Sequence, residues 1–518
     1  MRVPLSRSSG IILHPTSLAG PVGVGDIGPA AYRFLDFLTQ AGQSLWQVLP
    51  LGPTGYGDSP YACFSSFAGN PLLVSLETLV SWGLLSIDDL RGVPPANRER
   101  VDYGEVIAWK IPLQRKAAEA FLDGPDNERS RRYRDFRAHE AWWLDDYCLF
   151  MALKRHFDRR ALEAGAQGGA WNNSWDRDIA LRKPGALERW QERLDLEVRI
   201  ESAIQFFFFE QWAALRKEAA GRGIRIIGDI PIFAAPDSAD VWANRDLFLL
   251  DSDGQPTVVS GVPPDYFAAT GQLWGNPLYD WEAIAREKYR FWVQRILAAR
   301  KLFDVVRIDH FRGFEACWTV PAGERTAERG TWVKGPGPSL FETLEEQLGE
   351  LPLIAEDLGV ITPEVDALRT RFGFPGMRVL QFAFDSVEAG SLSSDNRFLP
   401  HNHTLDSVVY TGTHDNDTTR GWYSRRTHEE REYLDRYAAP TDPEIEWRLI
   451  RMALSSVCRF ALFPVQDVLG LGAEARLNTP GTSGGLNWTW RLAEGALTEG
   501  RARRLREMNS LYGRNCHR

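Results

Sequence analysis

From Gly223 onward, short apolar runs that finish in polar or charged residues alternate with longer segments of three- and four-residue apolar spacing. "IRIIGDIPIF" (224–233), "FDVVRIDHF" (303–311), "PLIAEDLG" (352–359) and "SVVYTGTHDND" (407–417) read as strands. "WEAIAREKYRFWVQRILAARK" (281–301), "LFETLEEQLGE" (340–350) and "PEVDALRTRFG" (363–373) read as helices between them. Strand–helix alternation implies a parallel sheet covered on both faces, which is why its strands are nearly all apolar. The pattern predicts an α/β fold of the (β/α)₈ TIM-barrel type. An open doubly wound sheet is the alternative, but no GxGxxG opens a helix and there is no GxxxxGK[ST].

The first part of the chain reads differently. Residues 20–75 are rich in Gly, Pro and Ser, with strand-like runs such as "SLWQVLPLGP" (44–53). From about 80 to 220 the text is charged and helical, as in "IPLQRKAAEAFL" (111–122) and "ESAIQFFFFEQWAALRKEAAGRG" (201–223), with loops at 91–100 and 164–175. This predicts one barrel over 1–518 with a mainly helical insertion at about 80–220 and a loop insertion at about 243–281. The final basic stretch, 499–518, reads as a solvated surface helix.

The polar strand ends carry the chemistry. In a strand, residues two apart share a face, so Arg307 and Asp309 point the same way with Val305 below them. In a barrel that direction leads inward at the carboxyl end, where active sites sit. A cation within reach favours the ionised carboxylate, the state a nucleophile needs. Other strand ends deliver Asp229, then Glu356 and Asp357, then His414, Asp415 and Asp417. Four runs ending in carboxylates point to one shared site. Two carboxyl groups of opposite protonation state are the requirement of glycoside chemistry. Periodicity does not choose between Glu356 and Asp357, nor between Asp415 and Asp417.

Composition narrows the field. The net charge of −9 argues against a nucleic-acid surface, and no run approaches the ~18 apolar residues of a membrane span. The N-terminus lacks the apolar core of a secretory signal. The five cysteines are scattered without CxxC or zinc spacing, which predicts reduced thiols and a cytoplasmic protein. There is no DxDxDG calcium loop, and no metal or other cofactor is expected. The 19 tryptophans, 14 tyrosines and 27 phenylalanines suit core packing, and also stacking on the C–H faces of sugars.

"RIDHF", "IAEDLG" and "GTHDN" resemble the strand-end motifs of the α-amylase superfamily. "LHPTSLAGPVGVGDIG" (13–28), "LPLGPTGYGDSPYACFSSFAGNP" (49–71), "GDIPIFAAPDSADVW" (228–242), "GVPPDYFAATGQLWGNPLYDW" (261–281) and "RLNTPGTSGGLNWTWR" (476–491) resemble the 4-α-glucanotransferases of glycoside hydrolase family 77. The resemblance implies transfer of α-1,4-glucan segments to the 4-hydroxyl of an acceptor, with retention of configuration. Maltooligosaccharides and starch- or glycogen-derived glucans would be donors, and glucose an acceptor. It implies Asp309 as nucleophile, Glu356 as general acid and base, and Asp415 as the third carboxylate. Arg307, Asp229 and His414 would line the donor subsite, and His310 would shape the acceptor side. Tyr61 would stack on a donor sugar. Trp274 and Asp265 lie in a loop (261–277) that would cover the cleft and, with Tyr266 and Phe267, exclude water. Phe382 would contact sugar near the acceptor side, and Tyr56 would belong to a secondary glucan site. An α-glucan hydrolase built on the same carboxylates is the second reading, and a non-catalytic glucan-binding protein the third.

Overall fold

The computed structural model describes residues 7–21, 23–93, 99–264, 269–386, 392–439 and 442–514. Eight parallel strands form one sheet in chain order: β1 (Ser8–Ile12), β2 (Leu45–Gln47), β3 (Arg225–Pro231), β4 (Val305–Asp309), β5 (Leu353–Ala355), β6 (Gly376–Val379), β7 (Ser407–Tyr410) and β8 (Phe460–Pro464). β8 pairs back onto β1, and the Ala355 N–H donates to the Pro375 carbonyl at 2.9 Å, joining β5 to the entry of β6. The ring is a barrel rather than an open sheet, as the strand–helix alternation predicts.

Three of these strands escaped the pattern. β1, "SSGII", opens on two serines that are nonetheless buried. β6, "GMRV", is four residues long and carries Arg378. β8, "FALFP", follows the helix Ile445–Ser455 so closely that the two read as one apolar stretch. The predicted helix 281–301 is two helices, Trp281–Arg286 and Arg290–Leu302. Lys288 and Tyr289 between them adopt left-handed backbone (φ 52° and 54°), and the Tyr289 ring is buried.

Alternation along the strands sorts residues into two layers. Ile12, Leu45, Ile227, Val305, Ile354, Val379, Val408 and Leu462 fill the barrel interior. Ile11, Trp46, Ile226, Val306, Ala355, Val409 and Phe463 face the surrounding helices. Gly228 sits where β3 presses on Phe303, whose ring carbons would lie 2.1 Å from an added Cβ. The same alternation turns Asp229, Arg307 and Asp309 inward at the top of β3 and β4.

Between β2 and β3 lie the long helices Tyr103–Leu122, Glu128–Glu163 and Asp195–Gly221. Buried polar groups pin them to the barrel. Lys110 donates to Asp26 Oδ2 (3.1 Å) and to the Leu72 carbonyl (2.7 Å). Gln205 and Gln211 each clamp a backbone amide unit, that of Gly69 and that of Ser75, through both ends of the carboxamide. The segment expected to be a loop at 243–281 contains two strands, Val258–Val262 and Gln272–Pro277. They join Ala316–Pro321 and Thr331–Lys334 in a four-stranded antiparallel sheet. These strands are short and glycine-interrupted, and the hairpin they form is completed only by strands beyond β4, so no local alternation marks them. The C-terminal helix Glu499–Leu511 is not merely solvated. Leu505 and Asn509 are fully buried on one face, and Asn509 Oδ1 accepts from the Ser9 hydroxyl at 2.9 Å.

Removing one member of a fully buried ion pair strands the other charge, at a cost of roughly 3–5 kcal/mol. Lys110→Ala is expected to lower the unfolding free energy by about that amount, read from the guanidinium chloride midpoint. An unchanged midpoint would mean the insertion is held without this pin.

Candidate active site

The expected site residues sit at the carboxyl ends of the barrel strands or in the loops that follow. Tyr61 follows β2, Asp229 closes β3, Arg307 and Asp309 end β4, and His310 begins the next turn. Glu356 follows β5, Phe382 follows β6, and His414 and Asp415 follow β7. In the β3–β4 register Asp229 lies opposite Arg307. The Arg307 guanidinium, 3% exposed, pairs with Asp229 Oδ2 at 2.5 Å through one nitrogen and with Asp309 Oδ1 at 2.9 Å through another. Asp309 stays 30% exposed to the barrel mouth. The Tyr61 hydroxyl donates to the same Asp229 oxygen at 2.8 Å, and its ring stacks on His414 with 5.1 Å between centroids. Burial raises the Asp229 carboxyl to about 6, with Arg307 opposing and Asp309 adding to the rise.

Glu356 sits against β4 from the other side. Its Oε2 accepts from the His310 N–H (2.8 Å) and its Oε1 from the Leu358 N–H (2.6 Å). His310 reaches that position with left-handed backbone, φ 52° and ψ 48°. For a residue other than glycine this costs on the order of 1–3 kcal/mol, and such strain clusters at functional sites. Burial, then the negative charge of Asp309, raise the Glu356 carboxyl to about 7. The His310 ring is also buried, and burial with the Arg312 charge lowers it to about 3, so it is neutral. The Trp274 ring lies edge-on to it at 4.7 Å.

Asp415 is oriented by three groups. His414 Nε2 lies 3.2 Å from Oδ2, the Asn478 amide donates to Oδ1 at 2.6 Å, and Arg476 donates to its backbone carbonyl at 2.7 Å. Burial works to raise this carboxyl, but the charge and hydrogen bond of His414 and the Asn478 amide hold it below the usual carboxylate range. The other two candidate carboxylates are spent elsewhere. Asp357 accepts from the Met377 N–H (2.6 Å) and faces Arg369, Arg378 and Arg397. Asp417 accepts from the Thr418 N–H and pairs with Arg425.

A family model described as 4-alpha-glucanotransferase matches residues 13–498. A 4-alpha-glucanotransferase of Thermus thermophilus is 51% identical over 97% of this chain and 98% of its own length. One from Synechocystis sp. is 48% identical over 99% of both chains. An amylomaltase from Streptococcus agalactiae, solved in complex with acarbose, superposes with a TM-score of 0.92 at 38% identity, over 98% of this chain and all of that one. The chain belongs to the 4-alpha-glucanotransferase family. It is therefore a transglycosylating enzyme acting on α-1,4-glucans. That family membership agrees with the resemblance drawn from the sequence motifs.

Not every expected contact joins the cluster. Phe382 packs edge-on against Phe398 and onto the barrel-interior core. Tyr56 is 69% exposed, with the Lys154 ammonium 5.9 Å from its ring and its hydroxyl 3.4 Å from the Gly168 carbonyl. Asp265, with Tyr266 and Phe267, lies outside the described residues. Conversely, sequence reasoning passed over Asn478, Arg476 and Trp488. Trp488 has left-handed backbone (φ 64°) and tilts against both Tyr61 and His414. All three belong to the loop after β8, inside the 476–491 motif that carries the family resemblance, but its aperiodic text singled out none of them.

The raised Glu356 carboxyl has a consequence for stability. A carboxyl whose folded pKa lies above its unfolded value penalises folding increasingly as pH climbs from the unfolded pKa through the folded one. Here that window runs from about 4.5 to about 7. Glu356→Gln is therefore expected to melt above the wild type at pH 8 and to lose that advantage by pH 4. Equal melting temperatures at pH 8 would overturn the assignment of a raised pKa.

Proposed function

We propose that this family's transfer reaction runs here as a double displacement with Asp309 and Glu356 as its two working carboxyl groups. The observation that carries the reading is Arg307, ion-paired to both Asp309 and Asp229 beside a Glu356 pushed up to about 7. Asp309 attacks the anomeric carbon of a donor glucan. Glu356, protonated, gives its proton to the glycosidic oxygen as the C1–O4 bond breaks, and the reducing-end fragment leaves. The glycosyl unit stays esterified to Asp309. The 4-hydroxyl of an acceptor glucan, or of glucose, then loses its proton to Glu356 and attacks C1, which frees Asp309. Two inversions give net retention.

The remaining residues take supporting roles. Asp415, held by His414 and Asn478, binds sugar hydroxyls of the distorted ring, and Asp229 and Arg307 hold the donor residue with Tyr61 and His414. His310 and Trp274 form the wall facing the acceptor, Phe382 contacts sugar on that side, and Tyr56 serves a separate glucan contact. The neutral His310 ring suits packing on an uncharged sugar. The chemistry calls for no cofactor. Free cysteines at 63, 148, 317 and 458 support a cytoplasmic setting. Among the described residues no helix is long and apolar enough to cross a membrane.

Pure maltotriose is the substrate that tests the reading. Transfer yields glucose with maltopentaose and longer chains at nearly constant total reducing ends. Glucose and maltose alone, with rising reducing ends, would make the chain a hydrolase. Asp309→Asn is expected to cut turnover by several orders of magnitude with the fold intact, checked by circular dichroism, and near-normal turnover would remove Asp309 from the nucleophile role.

Glycosylation needs the protonated form of Glu356, so kcat/KM should fall on the alkaline side with an apparent pKa near 7. A profile flat from pH 6 to 9 would contradict this part of the mechanism.

A further inference from the structure

The antiparallel sheet beside the barrel mouth carries an aromatic surface that the mechanism does not use. Its edge strand, Thr331–Lys334, is exposed along its whole length, yet it includes Trp332 at 40% exposure and Val333 at 46%. A flat, apolar, exposed edge invites aggregation, and proteins ordinarily place charge or proline there. The pairing registers put Leu273, Gly261, Trp318 and Trp332 in one row across the sheet, so their side chains share a face. At Gly261 the row is closed over by its neighbours, since an added Cβ would lie 2.6 Å from the Gln272 carbonyl oxygen and 3.4 Å from the Ala327 Cβ.

The two indoles are built into place. Trp318 Nε1 donates to the Ala327 carbonyl at 2.8 Å. The Gly330 backbone presses on the same ring so closely that an added Cβ would lie 2.2 Å from Nε1. Trp318 in turn meets Trp332 at 5.2 Å between centroids and 65° between planes. One face of Trp332 is covered by Arg312, whose guanidinium carbon lies 3.8 Å from the ring centroid. Arg312 is itself buried and donates to the Val360 carbonyl. Trp332 is thus braced on one face and one edge, and its exposed area lies on what remains.

The position of this indole follows from the chain. Arg312 is three residues beyond Asp309, so their Cα atoms are no more than about 11 Å apart. In the same sheet Trp274, next to Leu273, meets His310, whose backbone N–H donates to Glu356. One small sheet therefore delivers one tryptophan to the cleft and braces a second on its rim.

We propose that the open face of Trp332 is an outlying subsite for α-1,4-glucan, binding sugar residues of long chains beyond those held at the bond being exchanged. This rests on the catalytic reading above. The occupant is a glucan because this indole lies against Arg312, three residues beyond Asp309, and offers a flat, supported aromatic ring, with Lys334 on the same face and paired to Glu315. That combination matches the apolar face and hydroxyl rim of a pyranose.

Two readouts test it: retardation of the protein in native gels containing amylose, and the ratio of KM for amylose to KM for maltotriose. Trp332→Ala should reduce the retardation and raise the KM ratio by about fivefold or more, the value of one aromatic stacking contact. Trp332→Phe should recover most of both. The proposal is overturned if Trp332→Ala migrates as wild type with an unchanged ratio. It is equally overturned if that substitution changes the sedimentation coefficient, which would make the face a contact between copies of this chain. A wild-type protein that makes no maltopentaose from maltotriose would instead remove the catalytic reading, whatever Trp332 does.

Discussion

The site is organised around one buried cation. Arg307 stands inside the barrel at the top of β4, where a lone charge would be prohibitively expensive to bury. It is tolerated because Asp229, opposite it on β3, and Asp309, two residues on, both turn toward it. The dependence also runs the other way. Without the guanidinium, two carboxylates would face each other across neighbouring strands, and the Asp229 oxygen that also accepts from Tyr61 would lose its principal partner. Burial acts against Arg307's charge, yet the two aspartates raise its pKa well above the ordinary value. The charge is therefore permanent, and it sets the electrostatics of every group around it.

Glu356 shows the complementary device. The negative charge of Asp309 reaches it, and its surroundings desolvate it, so it keeps a proton into the neutral range. Two backbone N–H groups fix its orientation, one of them from His310, whose own backbone is left-handed. The pair Asp309 and Glu356 differ in environment rather than in chemistry, and on the proposed mechanism that difference gives two similar side chains opposite tasks. Asp415 adds a third setting, held below the usual range by His414 and Asn478.

Much of this was legible in the chain because a strand has a period of two. Val305, Arg307 and Asp309 had to share a direction, and the apolar text before them marked that direction as the barrel interior. Strands with clear apolar runs and polar ends were found, while β1, β6 and β8 were not. Serines at one start, an arginine within another and a preceding helix in the third erased the contrast that makes a strand visible. The antiparallel sheet was hidden for a different reason. It joins two short hairpins that lie on either side of β4 in the chain, and the pairing between them leaves no local signature. The break at Lys288 and Tyr289 lay in ordinary helix-forming text and arises where the Tyr289 ring is taken into the core.

The sequence by itself determined the barrel, the carboxylates at its strand ends and, through its motifs, the family. These depend on alternation and on short contiguous segments, both of which a linear text records. The family resemblance named Glu356 and Asp415, but only tertiary structure shows what holds each carboxylate. Glu356 and Asp357 are neighbours, as Asp415 and Asp417 nearly are, and beyond the last strand residue periodicity no longer assigns a face. Three arginines and the Met377 N–H take Asp357, and Arg425 takes Asp417, whereas Glu356 and Asp415 remain at the barrel mouth. The partners that make this choice come from other strands and from the loop after β8. Their proximity is a property of the closed ring, and no local pattern carries it.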